Sequence, residues 1–277
     1  MRYYFLTIKD GERNADHWIK EQKFAPFFYG MATLEALRDD TAPEVPTRSW
    51  ALVRRFFKTF DNRINEGAVI VSIGTENVYL YKQTSPLRQH GVEREKRYNG
   101  FDVEIIKAIP KKDCPFVLVS IRSNQRIGRK TFSEITEEKH FGNCRAIDYV
   151  LSGKKQRVDN FQQYLQCLSS VQFETLIAKM LEEQGYWVSA YTGGTLPRYD
   201  FFCEKGNKKM ALQVKTHLSK EVYERYEKES GIDYYYCITS GVTTKKIKSS
   251  SDIEGELTDC GKTKEWLAKT LWWVTYK

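Results

Sequence analysis

The sequence predicts an α/β fold in two parts, and three observations carry that expectation. Strand-like and helix-like stretches alternate along the 277-residue chain. Its length exceeds the roughly 100–200 residues of one ordinary domain. Near the middle, Ser152-Gly153-Lys154-Lys155-Gln156-Arg157 is short, polar and opens on breakers, which reads as a linker. An α+β N-terminal domain over 1–152 and an α/β domain over 161–277 are therefore expected.

Composition narrows the class. Aromatics at 14% and charged residues at 29% describe a chain that folds throughout rather than a disordered one. No apolar run approaches the roughly 20 residues of a membrane span. Met1 to Leu6 runs into Lys9 and Asp10 before forming a signal-peptide core, so the expectation is a cytoplasmic protein with no membrane partner. Six scattered cysteines, none in a C-x-x-C spacing, read as reduced, buried thiols rather than zinc ligands or a disulfide framework. The 44 Lys+Arg against 36 Asp+Glu give a net charge of +8, which favours an anionic partner only where the cations cluster.

In the first half, Tyr3 to Ile8 reads as a strand, Ala15 to Lys23 as a short helix around Trp18, and Met31 to Arg38 as another helix. After the Pro43 and Pro46 loop, Trp50, Val53, Phe57 and Phe60 fall at helical spacing, with Arg54, Arg55 and Lys58 facing elsewhere. Ala68 to Ile73 and Val78 to Tyr81 make a hairpin across Gly74 to Asn77. Val103 to Ile109 and Phe116 to Ile121 continue the sheet. Arg88 to Arg97 mixes both charges and reads as a solvated loop. The acid-free stretch with Arg122, Arg126, Arg129 and Lys130 is the better phosphate-contact candidate. Thr243 to Ser251 is expected to be a mobile loop.

The second half carries more chemistry. Phe173, Leu176, Ile177, Met180 and Leu181 form one helical face, Ser169 with Gln172 resembles a capping box, and Gly185 sits where the helix should end. Strands follow over Tyr186 to Tyr191 and Tyr199 to Glu204, with a turn over Thr192 to Thr195. Lys205-Gly206-Asn207 then reverses the chain into Met210 to Thr216. Alternation puts Gln213 and Lys215 on one face of that last strand, and the hairpin brings Asp200 beside them. Glu174, at the edge of the helix's apolar face, can point along the sheet rim to the same place. Ser219 then caps a helix with Val222, Tyr223 and Tyr226, Tyr234 to Thr239 is an apolar strand, and Trp266 to Val274 reads as a core-packing helix.

Carboxylate, amide and ammonium together suit phosphodiester hydrolysis. Mg²⁺, with Mn²⁺ as a substitute, takes oxygen ligands, which Asp200, Glu174 and the Val214 carbonyl can supply. Lys215 can position water or stabilise developing negative charge. An Asp beside a strand Lys is by itself the signature of an ordinary surface ion pair.

The order of elements adds to this. Phe173-Glu174 in a helix, Gly185-Tyr186, Thr192-Gly193-Gly194, then Asp200 and Gln213-Val214-Lys215 resembles the Mrr-like branch of the PD-(D/E)xK nucleases over about Val171 to Ser240. The resemblance implies a restriction-endonuclease-like α/β core. In it Asp200 is the metal-binding aspartate, Gln213 the variable middle position, Lys215 the catalytic lysine and Glu174 the helical acid. That branch commonly carries Gln at the middle position. Leu196-Pro197-Arg198-Tyr199 replaces the glycine-rich run usual before the aspartate, and it puts Arg198 forward as a further phosphate contact. The N-terminal half faintly resembles PUA-like barrels, whose base pocket Trp18, Phe28, Tyr29 or Trp50 would line.

The expected function is a metal-dependent endonuclease of restriction or host-defence type acting on double-stranded DNA, with double-strand cutting implying a homodimer. The alternatives are a structure-selective repair or junction-resolving nuclease and a non-catalytic nucleic-acid-binding protein on a nuclease scaffold.

Overall fold

A computed structural model describes residues 1–10, 13–27, 34–35, 47–61, 67–93, 96–123, 132–189, 199–229 and 231–276. The fold is mixed α/β and divides into two compact units, Met1–His140 and Phe141–Lys277. Among the described residues no helix is long and apolar enough to cross a membrane.

The first unit is built on one sheet. Its strands are β1 (Tyr3–Leu6), β2 (Phe24–Phe27), β3 (Val69–Ile73), β4 (Asn77–Gln83), β5 (Arg88–Glu93), β6 (Lys96–Pro110) and β7 (Phe132–Ile135). The order is β2-β6-β4-β3-β1-β7, with β5 also paired to β6. Only β1 and β3 run parallel among these pairs. The expected hairpin is there as β3 and β4, with Ile73 opposite Val78. Helix α1 (Thr47–Phe60) buries Phe56, Phe57 and Phe60 in a core with Tyr4, Phe101 and Phe132, while Arg55 and Lys58 stay exposed.

Two expectations for this unit are corrected. Arg88 to Arg97 is largely ladder rather than solvated loop, because the long β6 offers residues 96–100 a second edge and Arg88 Nε donates to Asp102 across it at 2.9 Å. Phe116 to Ile121 is not a strand: Pro115 stands at the N-cap of a short helix, Phe116–Val119, followed by a tight 3₁₀ turn over Ser120–Ser123. Proline at a helix start presets φ, and short apolar runs carry no period that separates helix from strand. Around Trp18 the expected short helix is a π-helix, Asp16–Glu21. Most of the expected helix over 31–38 lies outside the described residues, as do Phe28, Tyr29 and the side chain of Trp50.

Helix α2 (Glu137–Ser152) is broken at His140 (φ −140°, ψ 41°), and the division between the units falls there, ahead of the expected linker at 152. The physical reason is visible downstream. Gln156–Arg157 pairs in parallel with Val274–Thr275, so the polar stretch is hydrogen-bonded into the second unit rather than joining two domains.

The second unit carries α3 (Phe161–Gln166), α4 (Ser170–Glu183), β8 (Trp187–Val188), β9 (Phe201–Lys205), β10 (Lys208–Leu218), α5 (Lys220–Glu229), β11 (Tyr234–Ser240), β12 (Ile247–Lys248), α6 (Ser250–Glu256) and α7 (Gly261–Thr270). The sheet order is β8-β9-β10-β11-β12, antiparallel up to β10 and parallel beyond it. Both halves of the Ser169–Gln172 capping box form, and Gly185 ends α4 at φ +87°. Thr243 to Ser251 is only in part a loop. Ile247–Lys248 adds a strand, Lys246 pairs with Glu227 at 2.9 Å, and Ser249 with Asp252 makes a second capping box. The C-terminal helix stops at Thr270, before Trp272 and Val274. All six cysteines are free and buried.

Candidate active site at the start of strand β9

The hairpin of β9 and β10 sets the site. Gly206, at φ +59°, makes the turn, and the ladder pairs Phe201 with Leu212. Asp200 therefore stands beside Gln213, and its N–H donates to the Leu212 carbonyl at 2.9 Å. Its Oδ2 accepts three hydrogen bonds, from Gln213 Nε2 at 2.5 Å, the Val214 N–H at 2.7 Å and Lys215 Nζ at 3.2 Å. Oδ1 accepts none among the described residues. The Asp200 and Lys215 side chains are 13% and 31% exposed. The cluster is thus sheltered but reachable, unlike the freely solvated surface pair that an Asp–Lys contact usually makes.

Alternation explains the convergence. Phe201, Cys203, Met210, Leu212 and Val214 are all buried, and they share one face of the sheet with Tyr236. The Tyr236 hydroxyl donates to Glu256 of α6, and Gln184 beyond α4 donates to the Glu256 carbonyl, so α4 and α6 cover this face. Asp200, Phe202, Gln213 and Lys215 are on the other face, where α5 covers only the β11 end by packing Tyr223 and Tyr226 against Tyr235. His217 shares that face and its Nδ1 meets Thr239 Oγ1 at 2.9 Å, which makes it a sheet contact beside the cluster.

Glu174 comes from α4. Lys205 Nζ donates to the Gln184 carbonyl at 2.7 Å, which ties the helix's C-terminal end to the hairpin tip. Glu174 is half-buried on α4, the helix that covers the opposite face. The donors gathered on Asp200 Oδ2 come from β10 alone.

The donor set fits a hard cation. Asp200 Oδ1 is turned away from the donors that occupy Oδ2. Val214's N–H points at Asp200, and the carbonyl of an extended residue lies on the same strand edge as its N–H. Among the described residues no three His, Cys, Asp or Glu side chains gather as a cage. Mg²⁺ does not need one, since it keeps several waters and is held by one or two carboxylates.

The expected DNA contacts fare differently. Arg122 is not a free phosphate contact: its Nη2 donates to the Ile73 carbonyl at 3.0 Å, its Nε is buried with no hydrogen-bond partner among the described residues, and burial pulls its pKa down. It is built into the first unit because the 3₁₀ turn that carries it lies against the end of β3. Arg126, Arg129, Lys130 and Arg198 lie outside the described residues, as does the turn over Thr192 to Thr195. Sequence reasoning missed Phe202, exposed two residues from Asp200 with Tyr199 packed on it, and Trp187, exposed farther along the same face; the alternation of Phe201 with Phe202 and of Trp187 with Val188 was the signal for them. No protein-family model, curated protein or solved structure matches the chain.

Proposed function

We propose that the protein is a metal-dependent DNA endonuclease of restriction or host-defence type, with the cut made at Asp200 and Lys215. The observation that carries this reading is the polarised Asp200 carboxylate: one oxygen held by Gln213, Val214 and Lys215, the other left for a ligand. The α/β order of the second unit supports a PD-(D/E)xK-type core, with Gln213 in the middle position. A Mg²⁺ or Mn²⁺ held by Asp200 and the Val214 carbonyl, with water in the remaining positions, would polarise the scissile phosphate and acidify a bound water.

The chain's own groups do the rest. Gln213 Nε2 and the Val214 N–H fix the Asp200 carboxylate with Oδ1 outward, so no reorganisation is needed as charge develops. Lys215 Nζ, 3.2 Å from Oδ2, sets an ammonium where it can hold the attacking water and neutralise charge on the phosphate oxygens. The first unit, with its large mixed sheet, supplies the address; a PUA-like barrel reading modified bases is the form we propose for it. Double-strand cutting would pair two such sites in a homodimer.

The test is digestion of modified and unmodified duplex DNA with Mg²⁺ or Mn²⁺, with wild type beside Asp200→Ala and Lys215→Ala. Cleavage should vanish in both variants while DNA binding survives. Cleavage that persists in both sinks the assignment. A wild-type protein that binds every DNA and cuts none is the outcome expected of a non-catalytic binding protein on this scaffold.

A further inference from the structure

The next residue of β10 on the Asp200 face after Lys215 is His217. Two positions along the strand carry it about 7 Å past Lys215, and its neighbour across the parallel ladder is Thr239, as Cys237 is for Lys215. The ring is exposed but held. Its Nδ1 lies 2.9 Å from Thr239 Oγ1, and that hydroxyl donates its one proton to the Thr216 carbonyl at 3.3 Å. Thr239 therefore accepts from the imidazole, which puts the proton of the neutral ring on Nδ1 and the lone pair on Nε2. Nε2 has no hydrogen-bond partner among the described residues. The charged groups nearby are engaged elsewhere or positive. Lys215 on the same strand binds Asp200 at 3.2 Å, Lys220 at the start of α5 pairs with Glu224 at 3.9 Å, and Glu221 accepts from Ser219. Beyond Thr239, Lys245 lines the crevice at the end of β11 and makes no ion pair among the described residues. In that crevice Lys248 pairs with Glu256 and Asp252 caps its own helix.

The geometry points to His217 as the residue that grips a phosphodiester next to the cut, with Nε2 taking a proton from solvent as the substrate binds. Neutral, the ring presents only a lone pair to a phosphate oxygen, and two acceptors do not bond. Protonated, it keeps Nδ1–H on Thr239 and gains an Nε2–H that donates to the phosphate in a charge-assisted bond. Thr239 thus fixes the ring in one orientation in both states, leaving Nε2 as the nitrogen that changes. No carboxylate pairs with His217 among the described residues, so the countercharge comes from the substrate. The spacing suits DNA, because about 7 Å is roughly two nucleotides at the 3.4 Å rise of a strand in a duplex. Histidine is the side chain that changes charge between about pH 5 and 8, so a contact of this kind ties binding to pH in that range. The inference rests on the nuclease reading for the place of the cut, and the binding it describes needs no metal.

The test is run in EDTA on the full chain, by fluorescence anisotropy with a labelled duplex DNA from about pH 5.5 to about pH 8. Wild type should bind more tightly as pH falls. His217→Asn, whose amide nitrogen can stand where Nδ1 does and keep the bond to Thr239, should lose that dependence and bind about tenfold more weakly at the acid end. Its thermal stability and its affinity at the alkaline end should match wild type. Thr239→Val keeps the imidazole but frees the ring, and should flatten the profile in part. Calorimetry in two buffers of different ionisation enthalpy should find less proton uptake on binding in His217→Asn than in wild type. An equal pH slope in wild type and His217→Asn overturns the contact, as does a loss that is the same at every pH, the mark of a sheet contact alone. A wild type that binds no duplex overturns it too. Cleavage without pH-linked binding would sink this contact and leave the nuclease reading in place, whereas pH-linked binding without cleavage on adding Mg²⁺ would end the nuclease reading and leave the phosphate contact.

Discussion

Asp200 illustrates how much one carboxylate's surroundings decide. Because Gln213 is 3% exposed and 2.5 Å from Oδ2, Gln213→Glu would put a second buried carboxylate beside the first. That variant should lose about 1–3 kcal/mol of stability in EDTA and recover more on adding Mg²⁺ than wild type does; thermal unfolding with and without metal reads both. Asp16 makes a pH-dependent contribution in the first unit. Burial opposes its charge, but hydrogen bonds from the Tyr79 hydroxyl at 2.6 Å and from the Thr75 N–H at 2.5 Å, with others from Asn77 and Glu76, outweigh burial and lower its pKa. The stabilisation is complete above the unfolded value of about 3.9 and is lost as pH falls through the lower folded value. Asp16→Asn should therefore flatten the acid limb of the stability profile, with its largest deficit near neutral pH.

At the scale of elements, helix α4 was legible because its ends are written locally. Ser169 and Gln172 satisfy each other's backbone donors at 3.2 and 3.0 Å, and Gly185 takes a left-handed φ. Ser169→Ala should cost about 1 kcal/mol and Gly185→Ala about 1–2 kcal/mol, both measurable by urea unfolding. Elements whose partners are distant were not legible. Arg88–Glu93 looks polar and loop-like, and becomes a strand only because β6 presents it with an edge. Ile247–Lys248 is two residues of an otherwise Ser-, Thr- and Lys-rich stretch, held by the Tyr235 and Tyr236 ladder and by the Lys248–Glu256 ion pair at 2.9 Å.

For the whole molecule, the division at His140 has a direct consequence. A fragment over 141–277 keeps the pairing of Gln156–Arg157 with Val274–Thr275, and a fragment over 161–277 deletes it together with helix α2. The longer fragment should unfold cooperatively and at a higher urea concentration than the shorter one. The buried thiols give a second global readout. Burial pushes Cys114 and Cys167 up to about 12 and Cys203 and Cys237 up to about 11, so the reactive thiolate is scarce in the fold. All six should resist a thiol reagent at neutral pH and react together on unfolding.

What the sequence determined by itself is the set of decisions made within a few residues: the α4 cap and stop, the Gly206 turn, the two-residue alternation that puts Gln213 and Lys215 on one side, and the buried state of the cysteines. Only the tertiary structure decided the rest. It gave Asp200 its three donors on one oxygen, turned Arg122 inward to the Ile73 carbonyl, tied the apparent linker into the second unit and left Trp187 and Phe202 open on the face of the cluster. Local rules follow from backbone sterics and periodicity, which neighbours in sequence share. Hydrogen-bond partners and exposure depend on which distant strand or helix arrives alongside, and no short stretch of sequence contains its partner.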